Sequence, residues 1–239
     1  MAEDTTQTTD DLAGSGDAPA ARPTAARIRL LAAALALGAA AWIAVGVWTP
    51  VDELRTGDDL PFEGVRSHRG GWLTWHLLDG LGTALLMVGL AFAVCLLVQA
   101  RGARWATVGA ALAVLGGLVF SAGSVSFGLL GAYATESDAL PLAAGKGLIE
   151  YVNEEGGPAL GVVVPGFLVM ALAQLLLAVA LWRARAVPVW LPPAVIVVNV
   201  VLFVAEGLVS GLALAALGVL YGQVAWQVWR ASSAAVVHP

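Results

Sequence analysis

His76 and Asp79 stand three residues apart in the otherwise apolar stretch Trp75-His76-Leu77-Leu78-Asp79, and on a helix that spacing puts an imidazole and a carboxyl on one face. Such a pair can pass a proton, orient a polar ligand or share a divalent cation. A second acidic residue, Glu206, interrupts another apolar run in Val204-Ala205-Glu206-Gly207-Leu208, and Ser121, Ser124 and Ser126 punctuate a third. Ionisable groups inside apolar runs are costly to bury, which makes them the first place to look for function. His76, Asp79, Ser121, Ser124 and Glu206 are therefore the residues of a candidate polar pocket. A plainer reading stands beside this one, in which Asp79 is favoured by the positive end of a helix dipole and Glu206 is a solvated bend. No metal site and no cofactor is assigned. The chain has no phosphate-binding glycine loop, no His-Glu-x-x-His, no Gly-x-Ser-x-Gly and no haem-attachment motif. With His68 in a loop and His238 near the end, His76 alone lies near an apolar run, so two axial histidines for an intramembrane haem are lacking.

The elements that must position these residues are apolar helices. Apolar residues make up 59% of the chain and charged residues 12%, with mean hydropathy +0.83, which excludes an ordinary soluble domain. The expected fold is all-α, a polytopic transmembrane helix bundle. At about 1.5 Å per residue, spans of roughly 20 residues cross a hydrocarbon core of about 30 Å. Six such spans are expected, at about 28–48, 75–99, 105–130, 159–182, 189–205 and 207–229, with Glu206 and Gly207 at the bend of the last hairpin. Residues 1–24 are acidic, rich in Thr, Asp and Ala, and read as a disordered tail. A short second tail is expected at 231–239. The first apolar run begins too far from the acidic terminus to resemble a secretory signal, so it should remain as the first span. The single cysteine, Cys95, falls inside a span and excludes an intramolecular disulfide.

Arginines set the orientation. Arg22, Arg27, Arg29, Arg101, Arg104, Arg183, Arg185 and Arg230 flank the spans on one side, eight of the twelve basic residues, which predicts both termini in the cytoplasm. The opposite loops, about 49–74 and 131–158, are long and carry most of the acidic residues. Any surface for a soluble ligand is expected there. Tryptophan favours the headgroup level, and Trp48, Trp72 and Trp75 fall at the outer boundary while Trp105, Trp182, Trp190, Trp226 and Trp229 fall at the inner one. The two outer loops share a phrase, Asp58-Asp59-Leu60-Pro61-Phe62 and Ser137-Asp138-Ala139-Leu140-Pro141-Leu142. It reads either as a degenerate repeat or as ordinary helix-start chemistry.

Helices in lipid associate through close backbone approach, which small residues permit. Gly102, Gly109, Gly116 and Gly123 recur every seven residues on the third span, and Gly207, Gly211, Ala215, Gly218 and Gly222 form a stripe on the sixth. Both stripes are expected to be buried, within the bundle or in a homodimer seam. Gln174 and Asn199 are expected to bond between helices, and Pro165 and Pro192-Pro193 either to kink their helices or to occupy a first turn.

The loop Arg183-Ala184-Arg185-Ala186-Val187-Pro188-Val189-Trp190-Leu191, with the long first outer loop and the Arg-rich start of the first span, resembles functionally uncharacterised bacterial six-span membrane families. That resemblance implies a fold and no activity. A high-GC bacterial origin agrees with eleven arginines against one lysine. The expected location is the inner (plasma) membrane, multi-pass, with the lipid bilayer as partner, no nucleic acid, and either a membrane-protein partner or a second copy. The leading functional expectation is a non-catalytic protein, an accessory subunit or a small-solute permeation component. The alternative is a membrane enzyme or metal-dependent sensor using His76, Asp79 and Glu206 at the outer face.

Overall fold

A computed structural model describes residues 25–51, 59–155 and 157–237, the side chains of 157–159 and 232–237 excepted. The proposed tail at 1–24 lies outside the described residues. All regular structure among them is helical: α1 (Ala25–Val47), α2 (Phe62–Ser67), α3 (Arg69–Leu97), α4 (Ala103–Ala134), α5 (Leu142–Glu155), α6 (Gly157–Ala184), α7 (Leu191–Val204) and α8 (Gly207–Val237). Five of these, α1, α3, α4, α6 and α8, are long and apolar enough to cross a membrane. This is an α-helical membrane bundle. Leu37, Phe92, Leu115, Leu172, Val197 and Leu212 are among many large apolar side chains left exposed on its sides, a surface suited to acyl chains and not to water.

The sequence-based boundaries shift in three places. α3 begins six residues before the expected start at Trp75, and α8 continues past Arg230 through the segment read as a tail. α7 has 14 residues, about 21 Å of rise, so by length alone it falls short of a hydrocarbon core of about 30 Å. Pro192 and Pro193 sit in its first turn, where a missing N–H costs little, whereas Pro165 lies inside α6.

Neighbouring long helices run antiparallel, as their paired residues show. Gly46 of α1 meets Gly211 of α8, Gly218 meets Ala39, and the Arg29 guanidinium lies 5.7 Å from the Trp229 ring centroid. Gly38 backs onto Leu86 of α3, Gly117 of α4 onto Met87, and Gly116 onto Met170 of α6. Contacts then close a ring: α8 to α1, α1 to α3, α3 to α4, α4 to α6, α6 to α7 and α7 back to α8, with α3 also reaching α6 and α8 across it. The alternation puts Arg29, Arg101, Arg104, Arg183, Arg185 and Arg230 at one end of the bundle. Val47, Arg69, Ala134, Gly157 and Gly207 lie at the other.

The glycine stripes are occupied by neighbours in the same chain. A Cβ at Gly109, Gly116 or Gly123 would lie 3.0, 2.6 and 2.7 Å from atoms of α6, and at Gly211 or Gly218 it would lie 2.7 Å from carbonyl oxygens of α1. Gly222 faces open space and is not part of that seam, while Gly207 serves the bend with a left-handed φ of 55°. Inside the ring, Tyr221 Oη donates to Gln174 Oε1 at 2.5 Å and Trp42 Nε1 to Thr83 Oγ1 at 2.7 Å. Asn199, expected to bond between helices, donates to the Val195 carbonyl one turn back in its own helix at 2.9 Å and also hydrogen-bonds the Tyr221 side chain of α8.

The described parts of the loops at the end opposite Arg101 and Arg183 are tied down by specific contacts. Pro61 and Pro141 directly precede α2 and α5, so the shared phrase marks helix starts. Asn153 of α5 holds Leu60 at both backbone groups, accepting from its N–H and donating to its carbonyl at 3.0 Å each. Val51, Leu60, Val65, Trp72, Ala134 and Ile149 make a small apolar core beneath. Arg69 pairs with Glu136, and Lys146 reaches Glu63 at 3.3 Å.

Candidate functional site

α3 carries His76 and Asp79 on the face turned to α4, and glycines on both helices let the two approach. A Cβ at Gly80 would lie 2.6 Å from Val125, and one at Gly131 would lie 2.5 Å from Trp72 Nε1. Gly128 leaves room for the His76 ring in the same way. Because α3 starts at Arg69, Asp79 lies ten residues along it, about 15 Å from its end and beyond the first turn where the helix dipole acts. The dipole reading of Asp79 is therefore withdrawn. What Asp79 has instead is a partner, since the Ser124 hydroxyl donates to its Oδ2 at 2.7 Å.

Ser124 Oγ also lies 3.3 Å from His76 Nδ1. A hydroxyl has one proton, and with that proton given to Asp79 the oxygen can only accept, so Nδ1 carries the imidazole hydrogen. Nε2 is then a bare acceptor. It is also the one buried side-chain nitrogen or oxygen among the described residues with no hydrogen-bond partner. His76 is 95% buried, so this nitrogen has given up water without a replacement in the protein. The ring is held edgewise by aromatic neighbours, with centroids 4.3 Å from Trp72, 4.8 Å from Trp75 and 5.4 Å from Phe127. Those rings are fixed in turn, because Trp72 Nε1 donates to the Gly128 carbonyl at 3.0 Å and Trp75 Nε1 to the Val45 carbonyl at 3.1 Å.

These groups border a cavity of about 360 Å³ lined from α1, α3, α4, α6 and α8. Trp72, Trp75, Phe120 and Phe127 supply aromatic wall, while His76, Asp79, Ser124, Thr49 and Ser210 supply the polar points. Among the described residues no lysine or arginine lines it, and Asp79 is the one carboxyl. Its lining residues cluster toward the end of the bundle opposite the arginines.

The candidate pocket residues thus divide. His76, Asp79 and Ser124 form one hydrogen-bonded chain. Ser121 is buried beside them but packs against Gly80, its carbonyl 3.0 Å from where a Cβ would stand, and it does not line the cavity. Glu206 lies exposed at the bend between α7 and α8, outside the cavity that the next turn of α8 borders. Ser126 is exposed. Trp72, expected at a headgroup boundary, is 1% exposed and walls the cavity instead. Ser210 was not anticipated, and its only sequence signal was its place one turn past the Glu206 bend.

Chemically, the chain can pass a proton stepwise: Nε2 accepts one, Nδ1 gives its hydrogen to Ser124 Oγ, and the Ser124 hydroxyl gives its own to Asp79. Serine sits between the imidazole and the carboxyl, so its proton is aimed at Asp79 and away from the imidazole that would activate it as a nucleophile. Among the described residues no three His, Cys, Asp or Glu side chains gather as metal ligands. No protein-family model, curated protein or solved structure matches this chain.

Proposed function

We propose that this is a non-catalytic membrane protein, a permeation component or accessory subunit, that binds a small organic cation in the cavity beside His76. The proposal includes six spans, with α7 as the short sixth, both termini on the cytoplasmic side with the arginines, and residence in a bacterial inner membrane. One observation carries the ligand reading: the buried, unpartnered Nε2 of His76, a residue that lines a cavity walled by aromatic rings, with Asp79 as its one carboxyl among the described residues. An ammonium group would donate to Nε2, meet the faces of the Trp72 and Trp75 rings, and be drawn by the Asp79 side. A volume of about 360 Å³ suits a small ligand.

The test is a thermal-shift and calorimetric screen of purified protein against primary and quaternary amines of increasing size, with matched neutral alcohols and carboxylates. Small amines should raise the melting temperature, and Asp79→Asn should abolish the rise. Stabilisation by carboxylates instead, or equally by Asp79→Asn and wild type, would end the cation reading. Metal analysis of the same preparation addresses the alternative, since His76 Nε2 is also a free metal-ligand position. Stoichiometric zinc, manganese or nickel lost on His76→Ala would replace the amine by a metal.

A further inference from the structure

A second cavity, of about 620 Å³, lies at the opposite end of the bundle, between the link from α3 to α4 and the link from α6 to α7. Arg101 enters it from the first link, Arg183 from the last turn of α6 and Arg185 from the second link, with Trp182, Val187, Val189 and Pro192 around them. Among the described residues no carboxylate lines it and none of the three guanidiniums has an acidic partner, in contrast to Arg66 and Arg69 at the far end. Among the described residues, three cations therefore share one groove with no anion beside them.

The backbone that presents them is specifically shaped. The α6 terminus closes with Arg185 N–H donating to the Trp182 carbonyl at 3.2 Å and Ala186 N–H donating to the Leu181 carbonyl at 3.3 Å. This is the Schellman arrangement, whose left-handed residue is usually glycine. Here it is arginine, at φ 52°, the one non-glycine residue with positive φ among those described. A conformation that disfavours a side chain thus holds a guanidinium at the mouth of the groove. On the other link, Gly102 at φ 95° brings the backbone beside Arg101 against the Ala180 carbonyl, where a Cβ would lie 2.8 Å away. That close approach puts Arg101 within the same groove as Arg183 and Arg185.

Guanidinium forks match phosphate oxygens two at a time, and exposed apolar residues at the rim, Trp182 and Val189, suit the glycerol and acyl portion of a lipid. We infer that this groove is a binding site for a phosphate monoanion or diester, filled in the membrane by the headgroup of an anionic phospholipid. The leaflet at the arginine end supplies such headgroups, and basic pockets between helices at that depth are where they bind. This site is independent of the cavity beside His76.

The experiment titrates purified full-length protein in neutral detergent with phosphatidylglycerol, phosphatidylcholine and inorganic phosphate, reading melting temperature and bound lipid by native mass spectrometry. Phosphatidylglycerol should stabilise and be retained, and phosphatidylcholine should not. Arg183→Gln/Arg185→Gln should weaken phosphatidylglycerol binding about tenfold or more, on the scale of about 1 kcal/mol per basic residue. Arg104→Gln/Arg230→Gln removes the same charge from the same end outside the groove and should leave binding within about twofold. Arg101→Gln, on the separate link, gives the same readout if the first pair folds poorly. Stabilisation by inorganic phosphate alone would assign the groove to a free anion instead of a lipid. Equal weakening in the control pair, or equal binding of phosphatidylcholine, would overturn the inference, because the arginines would then act only as diffuse charge.

Discussion

At the scale of single residues, the chain His76–Ser124–Asp79 makes a prediction about coupling. Ser124→Ala leaves Asp79 buried without its hydroxyl donor and should cost about 1–3 kcal/mol. Asp79→Ala removes the acceptor, and the double variant should cost less than the sum, with a coupling of about 0.5–3 kcal/mol in thermal or denaturant unfolding in detergent. Strict additivity would mean that the two do not interact in the folded protein. Glu206→Gln, at an exposed bend, should be silent in the same assay. What the sequence could and could not reveal here follows from geometry. His76 and Asp79 share a face because they are three apart on one helix, and that is visible in a string of letters. Ser124 joins them only because α4 packs antiparallel at one particular register, which spacing within α4 does not state. Glu206 was expected at the depth of Asp79, but it lies exposed at the bend before α8, outside the cavity that Gly207, Ser210 and Gly211 border.

At the scale of elements, the stripe on α8 is a seam against α1 inside one chain. Gly211→Leu and Gly218→Leu should each lower stability by about 1–3 kcal/mol or more, since both would strike backbone carbonyls that cannot swing aside. Gly222→Leu should be nearly neutral because nothing stands opposite it, and so should Leu212→Ala and Val219→Ala, which are more than half exposed. Equal melting temperatures for all five variants would remove the seam. The repeats of α4 and α8 were legible because each helix carries several small residues at near-heptad spacing. Gly46, Gly80 and Gly82 were not, because a lone glycine acquires meaning only from what faces it. α2 and α5 were read as loop for a related reason. They are short and polar on one side, and their apolar residues Val65 on α2 and Ile149 on α5 face a satellite core instead of lipid.

At the scale of the molecule, the arrangement predicts which segments share a side. Reporter fusions after Arg104, Arg185 and Arg230 should all report the cytoplasm, and fusions near Arg66 and Gly145 the exterior. An exterior signal after Arg230 would mean that α7 does not cross, which its 14 residues make the most informative of these tests. The ring also has a consequence for the order in which the protein is made. α1 leaves the ribosome well before α8, yet one of its flanks is Gly46 and Ala39, matched to Gly211 and Gly218 of α8. Roughly 165 to 180 residues separate those partners, about 8 to 36 s of synthesis at about 5–20 residues per second. Until α8 arrives, α1 has only its seam with α3, and its glycine-lined flank stands open to lipid and to any other small-residue helix in the membrane. Quality control therefore has a defined window in which to act on this protein, and a chain that stops before Gly207 would remain in that window until it is degraded.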